Sequence, residues 1–260
     1  MRKLHHISQK NTKYLVLGLA MTSVLLIVLS LGFGYYRMNI ADVFHVITGA
    51  SGDPNGWIVL GIRFPRIIAA YIIGAALSVS GATYQGVLKN PLVSPDILGV
   101  ASGAGMGAAL AIMLGLNNLM IQIFAFGAGL VAVLATYIFA KHVKFDRRVS
   151  LILSGVLVGS LAFSITTMMK YLADTTDQLP EITYWLMGSL SRVSTNSLLV
   201  SLPFMAVGFA LLFVMRWRIN VLTLDDIESK SLGVNTKRDM RIVIVGATLA
   251  CSAAVGLGGL

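Results

Sequence analysis

Long uncharged stretches alternate with short charged ones along this chain. Runs without Asp, Glu, Lys, Arg or His cover Tyr14–Tyr36, Ile67–Leu88, Val149–Met169, Val193–Met215 and Ile242–Leu260. A sixth, Ile97–Ala140, is 44 residues long. A helix needs ~20 consecutive apolar residues to cross the hydrocarbon, so the long run is expected to be two helices joined at Gly115–Asn118. The pattern predicts an all-α integral membrane protein, a polytopic helix bundle with seven spans. Their expected bounds are 14–36, 67–88, 97–114, 119–140, 149–169, 193–215 and 242–260. They form one transmembrane domain, 14–260, behind a polar tail, 1–13, and interrupted by a charged loop, 216–241. The first run is too long for a signal-peptide apolar region and lacks a small-residue cleavage site, so it is expected to be retained.

Composition agrees with that pattern: 56% of the 260 residues are hydrophobic and 12% are charged, too apolar for one soluble core. The net charge of +9 could suggest a nucleic-acid partner, but its distribution points elsewhere. With the N-terminus inside, the inner segments hold fifteen of the twenty Lys and Arg residues, and the outer ones hold only Arg37, Arg63, Arg66, Lys170 and Arg192. That is a positive-inside bias, which orients the chain in a cell membrane with a cytoplasmic N-terminus. No nucleic-acid partner is needed to explain it. Cys251 is the only cysteine, so no internal disulfide forms, and it reads as an inert packing residue. His5 and His6 belong to the solvated tail. His45 belongs to a stretch, 38–56, of mixed polarity that reads as a short interfacial helix and an external loop. Gly99, Gly103 and Gly107, and Gly155 with Gly159, recur at four-residue spacing, as in close packing of membrane helices. A phosphate cradle at 99–107 is excluded, since no strand precedes it and no Gly-Lys-Ser/Thr follows.

Three stretches could carry function. In Arg63-Phe-Pro-Arg66, Pro65 suits the first turn of a helix. Its two arginines are either interfacial anchors or, being matched to carboxylates, a dock for an acidic partner. In the stretch 88–105, Pro91 and Pro95 forbid a continuous helix, and Ser94 or Asp96 can cap the next one. The third, Val221–Arg241, carries eight charges. Thr223 to Asp226 loosely fits a capping box, and Asp225, Asp226 and Glu228 suit a helix start. Leu224, Ile227 and Leu232 form an apolar face, Gly233 is placed to terminate, and Asn235 or Thr236 can cap a second helix. The stretch is either a solvated connector or a surface that receives force from another protein.

The classes of function narrow accordingly. No uncharged run contains His, Asp or Glu, so membrane-enzyme chemistry is not expected. Ion-coupled carriers usually keep ionisable groups at mid-membrane, although carbonyl-based sodium sites need none. With no P-loop in the chain, an energy source on a separate subunit fits best.

At Ile62–Gly105 the sequence resembles the signature region of the membrane permeases of iron-chelate and cobalamin ABC importers, the FecCD family. Leu224–Val234 is similar to that family's coupling loop, with Leu232, Gly233 and Val234 matching, while Asp225 and Ser229 replace small residues. Tyr184–Ser194 is similar to its external segment. The resemblance implies ten helices per subunit, a homo- or heterodimer in the membrane lipid, two cytoplasmic ATPase subunits that hold ATP and Mg, and an external substrate-binding protein. It further implies that Arg63 and Arg66 dock the binding protein. Leu224, Asp225, Asp226, Ile227, Glu228, Lys230, Ser231, Leu232, Gly233 and Val234 would couple to the ATPase, and Phe145, Asp146, Arg147, Arg148 and Val149 would lie near the inner gate. The fifth span would line the pathway. No catalytic residue, metal site or cofactor is expected in this chain. The expected cargo is an iron(III)-siderophore or similar chelate, with cobalamin or haem as alternatives; an ion-coupled carrier or a non-functional relic is the reading from another class. Members of the family continue with three further helices beyond the point where this chain stops, so it is expected to be a fragment or a truncated product.

Overall fold

A computed structural model describes residues 9–32, 34, 46, 56–143 and 145–260. The expected interfacial helix at 38–56 lies outside the described residues apart from Val46 and Gly56, as do His5, His6, Arg37, His45 and Lys144. The chain divides into two compact units, residues 1–68 and 69–260.

In the first unit, α1 (Gln9–Gly32) is apolar and long enough to span. Its side chains are exposed along most of its length, as befits a helix that lipid can solvate. A π-helical turn, Ile58–Arg63, runs directly into α2 (Phe64–Leu88). Pro65 therefore does not open the helix, as its position in the sequence suggests; the residues from Gly56 to Phe64 before it are already helical. A proline inside a helix removes one backbone donor and crowds the preceding turn. Here the wider turn absorbs it, with the Phe64 N–H bonded five residues back to the Val59 carbonyl. Val46 and Val59 are buried against each other and Leu31.

The second unit continues α2 and holds α3 (Val100–Met113), α4 (Asn118–His142), α5 (Arg147–Leu172), α6 (Gln178–Leu186), α7 (Thr195–Val214), α8 (Arg216–Leu222), α9 (Asp226–Ser231) and α10 (Thr236–Gly258). No strand occurs among the described residues. Among the described residues, six helical segments are long and apolar enough to cross a membrane. The seventh expected span differs: α3 has 14 residues, about 21 Å at 1.5 Å per residue, short of the ~30 Å hydrocarbon core. The two short helices α6 and α8 have no apolar run to announce them.

The joint expected at Gly115–Asn118 is present. Gly115 takes positive φ, and Asn117 caps α4 by accepting from the Met120 N–H. Small residues then let α3 lie on α4. A Cβ placed on Gly103 would fall 2.5 Å from the Ala132 Cβ, and one on Gly107 would fall 2.4 Å from the Phe124 carbonyl oxygen. At α5, a Cβ on Gly155 would meet the Ile97 carbonyl at 2.1 Å.

Because lipid is as apolar as the side chains, polar contacts fix the packing further. Ser80 donates to the Ala247 carbonyl (2.9 Å), and the Tyr84 and Thr248 hydroxyls pair at 2.9 Å, tying α2 to α10. Thr136 donates to the Leu98 carbonyl (3.0 Å) and Ser252 to the Phe126 carbonyl (2.9 Å). Cys251 is buried with its thiol 3.7 Å from the Pro95 carbonyl, a packing residue as its apolar run suggests.

Candidate functional site

The polar end of the second unit is built by the segments around Lys89, Asp146, Asp225 and Asn235. The stretch after α2 turns at Lys89 (φ 53). Asp96 then caps α3 from outside the helix, its Oδ1 accepting from the Ala101 N–H at 2.6 Å, while Gly99 makes the left-handed entry at φ 82. Burial raises the Asp96 carboxyl above its ordinary range, against the lowering by hydrogen bonds from the Ala101 and Ser102 amides. A raised folded-state pKa means that the folded chain binds the extra proton. Its contribution to stability is therefore greatest below the unfolded pKa and falls as pH rises through the folded one. Asp96→Asn, which keeps an acceptor for the cap and drops the charge, is expected to gain on the wild type across that interval. Asp96→Ala is expected to lose about 1 kcal/mol. Thermal unfolding in detergent at a series of pH values checks both.

The stretch expected to couple to an ATPase forms a short helix, α9, that is more closely specified than the sequence suggests. Asp225, rather than Thr223, is the N-cap of α9, and Glu228 completes the box by accepting from the Asp225 N–H at 3.4 Å. Asp has the short reach an N-cap needs, whereas the Thr223 hydroxyl is used locally, on the Asn220 carbonyl. At the other end Gly233 (φ 76) closes a Schellman motif: the Gly233 N–H bonds to Lys230 O (3.0 Å) and the Val234 N–H to Ser229 O (3.1 Å). Asn235 then caps α10 on the Arg238 N–H (3.1 Å).

This short helix is pinned from beneath. Ser229, a departure from the small residue of the family pattern, is fully buried and donates to the Val221 carbonyl of α8 at 2.8 Å. Val221, Leu222 and Val234 are buried beside it. The outer face carries Leu224, Ile227, Lys230, Ser231 and Leu232, with Ile227 83% exposed. Lys89 reaches Asp225 at 3.3 Å on the surface, and α8 is locked to α10 by Arg218, whose Nη1 lies 2.7 Å from Oδ1 of the fully buried Asp239. Nothing in the sequence announces Ser229 as an anchor or Arg218 and Asp239 as a pair. Each depends on which of several polar side chains faces inward, and no local signal encodes that.

The expected gate residues start α5. Asp146 caps it by accepting from the Arg148 N–H (2.9 Å), and Phe145 and Val149 are exposed. Arg147 donates to the Tyr137 hydroxyl at 3.1 Å, and Arg148 Nε donates to the Val87 carbonyl at 3.0 Å. Tertiary structure brings this segment against the α9–α10 turn: Asp146, Arg147 and Arg148 share a cavity of about 610 Å³ with Lys230, Gly233, Val234 and Lys237. The sequence places these two groups more than 80 positions apart.

Arg63 and Arg66 are half-buried in the first unit. Arg63 donates to the Leu31 carbonyl near the end of α1, one of the acceptors a helix terminus leaves open. A Cβ on Gly34 would fall 2.8 Å from the Arg63 guanidinium. Arg63 thus has an internal role that spacing alone does not show.

Comparison with known proteins now settles the family. The model of the FecCD transport family matches residues 21–260. The chain belongs to the FecCD transport family. Among its FecCD-family relatives, the molybdate import system permease protein MolB of Haemophilus influenzae is 34% identical over 253 residues, 93% of this chain and 74% of that protein. A Helicobacter pylori protein named "Probable iron chelatin transport system permease protein" is 39% identical over 204 residues, 78% of this chain and 61% of that one. A solved structure described as an inward-facing metal-chelate type ABC transporter superposes with TM-score 0.80 at 28% identity, covering 95% of this FecCD-family chain and 76% of the other.

Proposed function

We propose that this chain is the membrane-spanning permease subunit of an ATP-driven importer and that its basic end faces the cytoplasm, where α9 receives a separate ATPase subunit. The observation that carries this reading is the construction of α9: a six-residue helix capped at both ends and anchored through Ser229, with Ile227 and Leu232 left exposed. Isolated helices of that length do not persist in water, so the fold invests three separate devices in holding this one. Apolar side chains on a stiff, exposed helix suit a partner surface rather than solvent. The gate segment at Phe145–Val149 adjoins it across the basic cavity, so displacement of α9 has a short route to the start of α5.

The cargo in this reading is an iron(III)-siderophore or a similar metal chelate, delivered by an external binding protein that docks at Arg63 and Arg66. The Helicobacter relative and the metal-chelate type structure support it. A molybdate cargo is the second reading, supported by the similarity to MolB over 93% of the chain; cobalamin and hemin, named for other relatives, are further alternatives.

The test is uptake in proteoliposomes holding this chain with its ATPase and binding protein, using labelled iron-siderophore and labelled molybdate in parallel. Ile227→Glu with Leu232→Glu is expected to lower ATP-dependent uptake and ATPase capture at least tenfold. Arg66→Glu is expected to abolish binding-protein-dependent uptake, and it avoids the internal contact of Arg63. Uptake without nucleotide, driven by an ion gradient, would remove the ATPase-coupled reading.

A further inference from the structure

We propose that the basic cavity and an apolar groove beside it together hold one anionic phospholipid, with its phosphate in the cavity and an acyl chain between α4 and α10. This inference is independent of the cargo and of the ATPase.

The cavity is built for a negative group. Arg147, Arg148, Lys230 and Lys237 line it against one carboxylate, Asp146, and that carboxylate is engaged in capping α5 through the Arg148 N–H. Lys230 and Lys237 are exposed and have no acidic partner among the described residues. The starts of α5 and α10, helices of 26 and 23 residues, lie on its walls, so two positive helix termini add to the four cations.

The groove is of the opposite kind. It measures about 300 Å³ and is walled by Leu130, Leu134, Val245 and Leu249 among others, with Tyr137 and Arg241 also on its lining. Leu134 and Val245 are more than half exposed, so the groove opens to the outside of the bundle along two membrane-crossing helices. Two hydrogen bonds join groove to cavity. Arg147, on the cavity wall, donates Nη2 to the Tyr137 hydroxyl at 3.1 Å. Arg241, on the groove wall, donates Nε to the carbonyl of Lys237, a cavity residue, at 3.2 Å.

The boundary between polar and apolar lining therefore falls on a tyrosine and an arginine, residues that sit comfortably where headgroups meet chains. A soluble anion would fill the cavity and leave the groove empty. An acidic protein surface would do the same, because the groove runs into the span. A phosphate-headed lipid satisfies both, its buried methylenes adding to the charge contacts of its head, and basic pockets between membrane helices are the known setting for anionic headgroups.

Native mass spectrometry and thermal unfolding of the purified chain in detergent test this, with phosphatidylglycerol, phosphatidylcholine or inorganic phosphate added. Phosphatidylglycerol is expected to remain bound, and to raise Tm at concentrations at least tenfold lower than phosphatidylcholine requires. Lys237→Gln, at an exposed position that the fold does not need, and Arg147→Gln should each weaken retention about tenfold. Val245→Trp, which fills the groove, should do so with the cavity intact. Arg147→Lys should retain the lipid, which separates charge from the Tyr137 contact, and helix content by circular dichroism confirms folding of each variant. Equal retention of the two lipids, or undiminished retention in Lys237→Gln and Val245→Trp, would overturn the proposal. So would protection by inorganic phosphate equal to that by the lipid, which would mark a free-anion site. Loss of ATPase capture in Lys237→Gln with lipid retention unchanged would reassign the cavity to an acidic protein surface.

Discussion

Replacing Arg218 with alanine is expected to destabilise this permease by about 3 kcal/mol, although Arg218 itself is nearly half exposed. The loss falls on its partner. Asp239 is fully buried, its Oδ1 is held by Arg218 at 2.7 Å, and its Oδ2 has no hydrogen-bond partner among the described residues. Without the guanidinium, the carboxylate is left in a low-dielectric site with nothing to compensate its charge. The reverse substitution is expected to be milder. In Asp239→Ala the arginine can extend its head to water along an apolar stem, and the residual cost is mainly a small cavity. The double variant Arg218→Met with Asp239→Leu should recover most of the loss, since a buried ion pair replaced by apolar residues of similar volume is often neutral. Unfolding in mixed micelles, followed by helix circular dichroism, gives the cycle. Equal losses for the two single variants would show that the pair is solvated rather than buried.

The second large effect is expected at Gly155. Gly155→Ala should cost about 3 kcal/mol, at the upper end for overpacking, because its Cβ would sit 2.1 Å from the Ile97 carbonyl oxygen and 2.9 Å from the Leu98 Cα. Both are backbone atoms that no rotamer change can move. Gly159→Ala is the control. There the nearest atom is the Ser102 hydroxyl at 3.5 Å, followed by the Gly99 Cα at 3.7 Å, ordinary contact distances, and alanine gains up to ~1 kcal/mol in helix propensity. Gly155→Ala is expected to lower Tm and Gly159→Ala to hold or raise it; comparable losses at both sites would mean that α5 packs on α3 differently.

That pair shows how far the sequence reads. Spacing alone makes Gly155 and Gly159 equivalent halves of one small-residue motif, and the existence of a close helix contact follows from it. Which of the two touches backbone depends on where α5 crosses the start of α3, and no residue near either glycine records that. The stretch Val221–Arg241 behaves in the same way. Gly233 and Asn235 announce their own roles because a left-handed turn and an N-cap are local requirements of a few adjacent residues. The start of α9 was legible only to within two positions, since Thr223, Asp225 and Asp226 can all serve as caps. The hidden anchor, Ser229 on the Val221 carbonyl, shows in the sequence merely as a departure from the family pattern.

By itself, then, the amino-acid order determined the membrane setting, the all-helical class, the family and the capped element at Val221–Arg241. The setting, the class and the capped element follow from hydropathy over ~20 residues and from short-range backbone chemistry, which need no knowledge of neighbours; the family follows from the resemblance of Ile62–Gly105, Tyr184–Ser194 and Leu224–Val234. Only the folded structure decided that the helical part of the third apolar segment is 14 residues long, and that Arg63 holds α1. It also decided that Arg218 neutralises a buried Asp239, and that residues 146–148 and 230–237 enclose one basic cavity. Each of those is a meeting of side chains far apart in the chain. In a bundle whose helices share the same apolar surface, polar contacts and glycine clearances select the mates, and these appear only once the helices are set against one another.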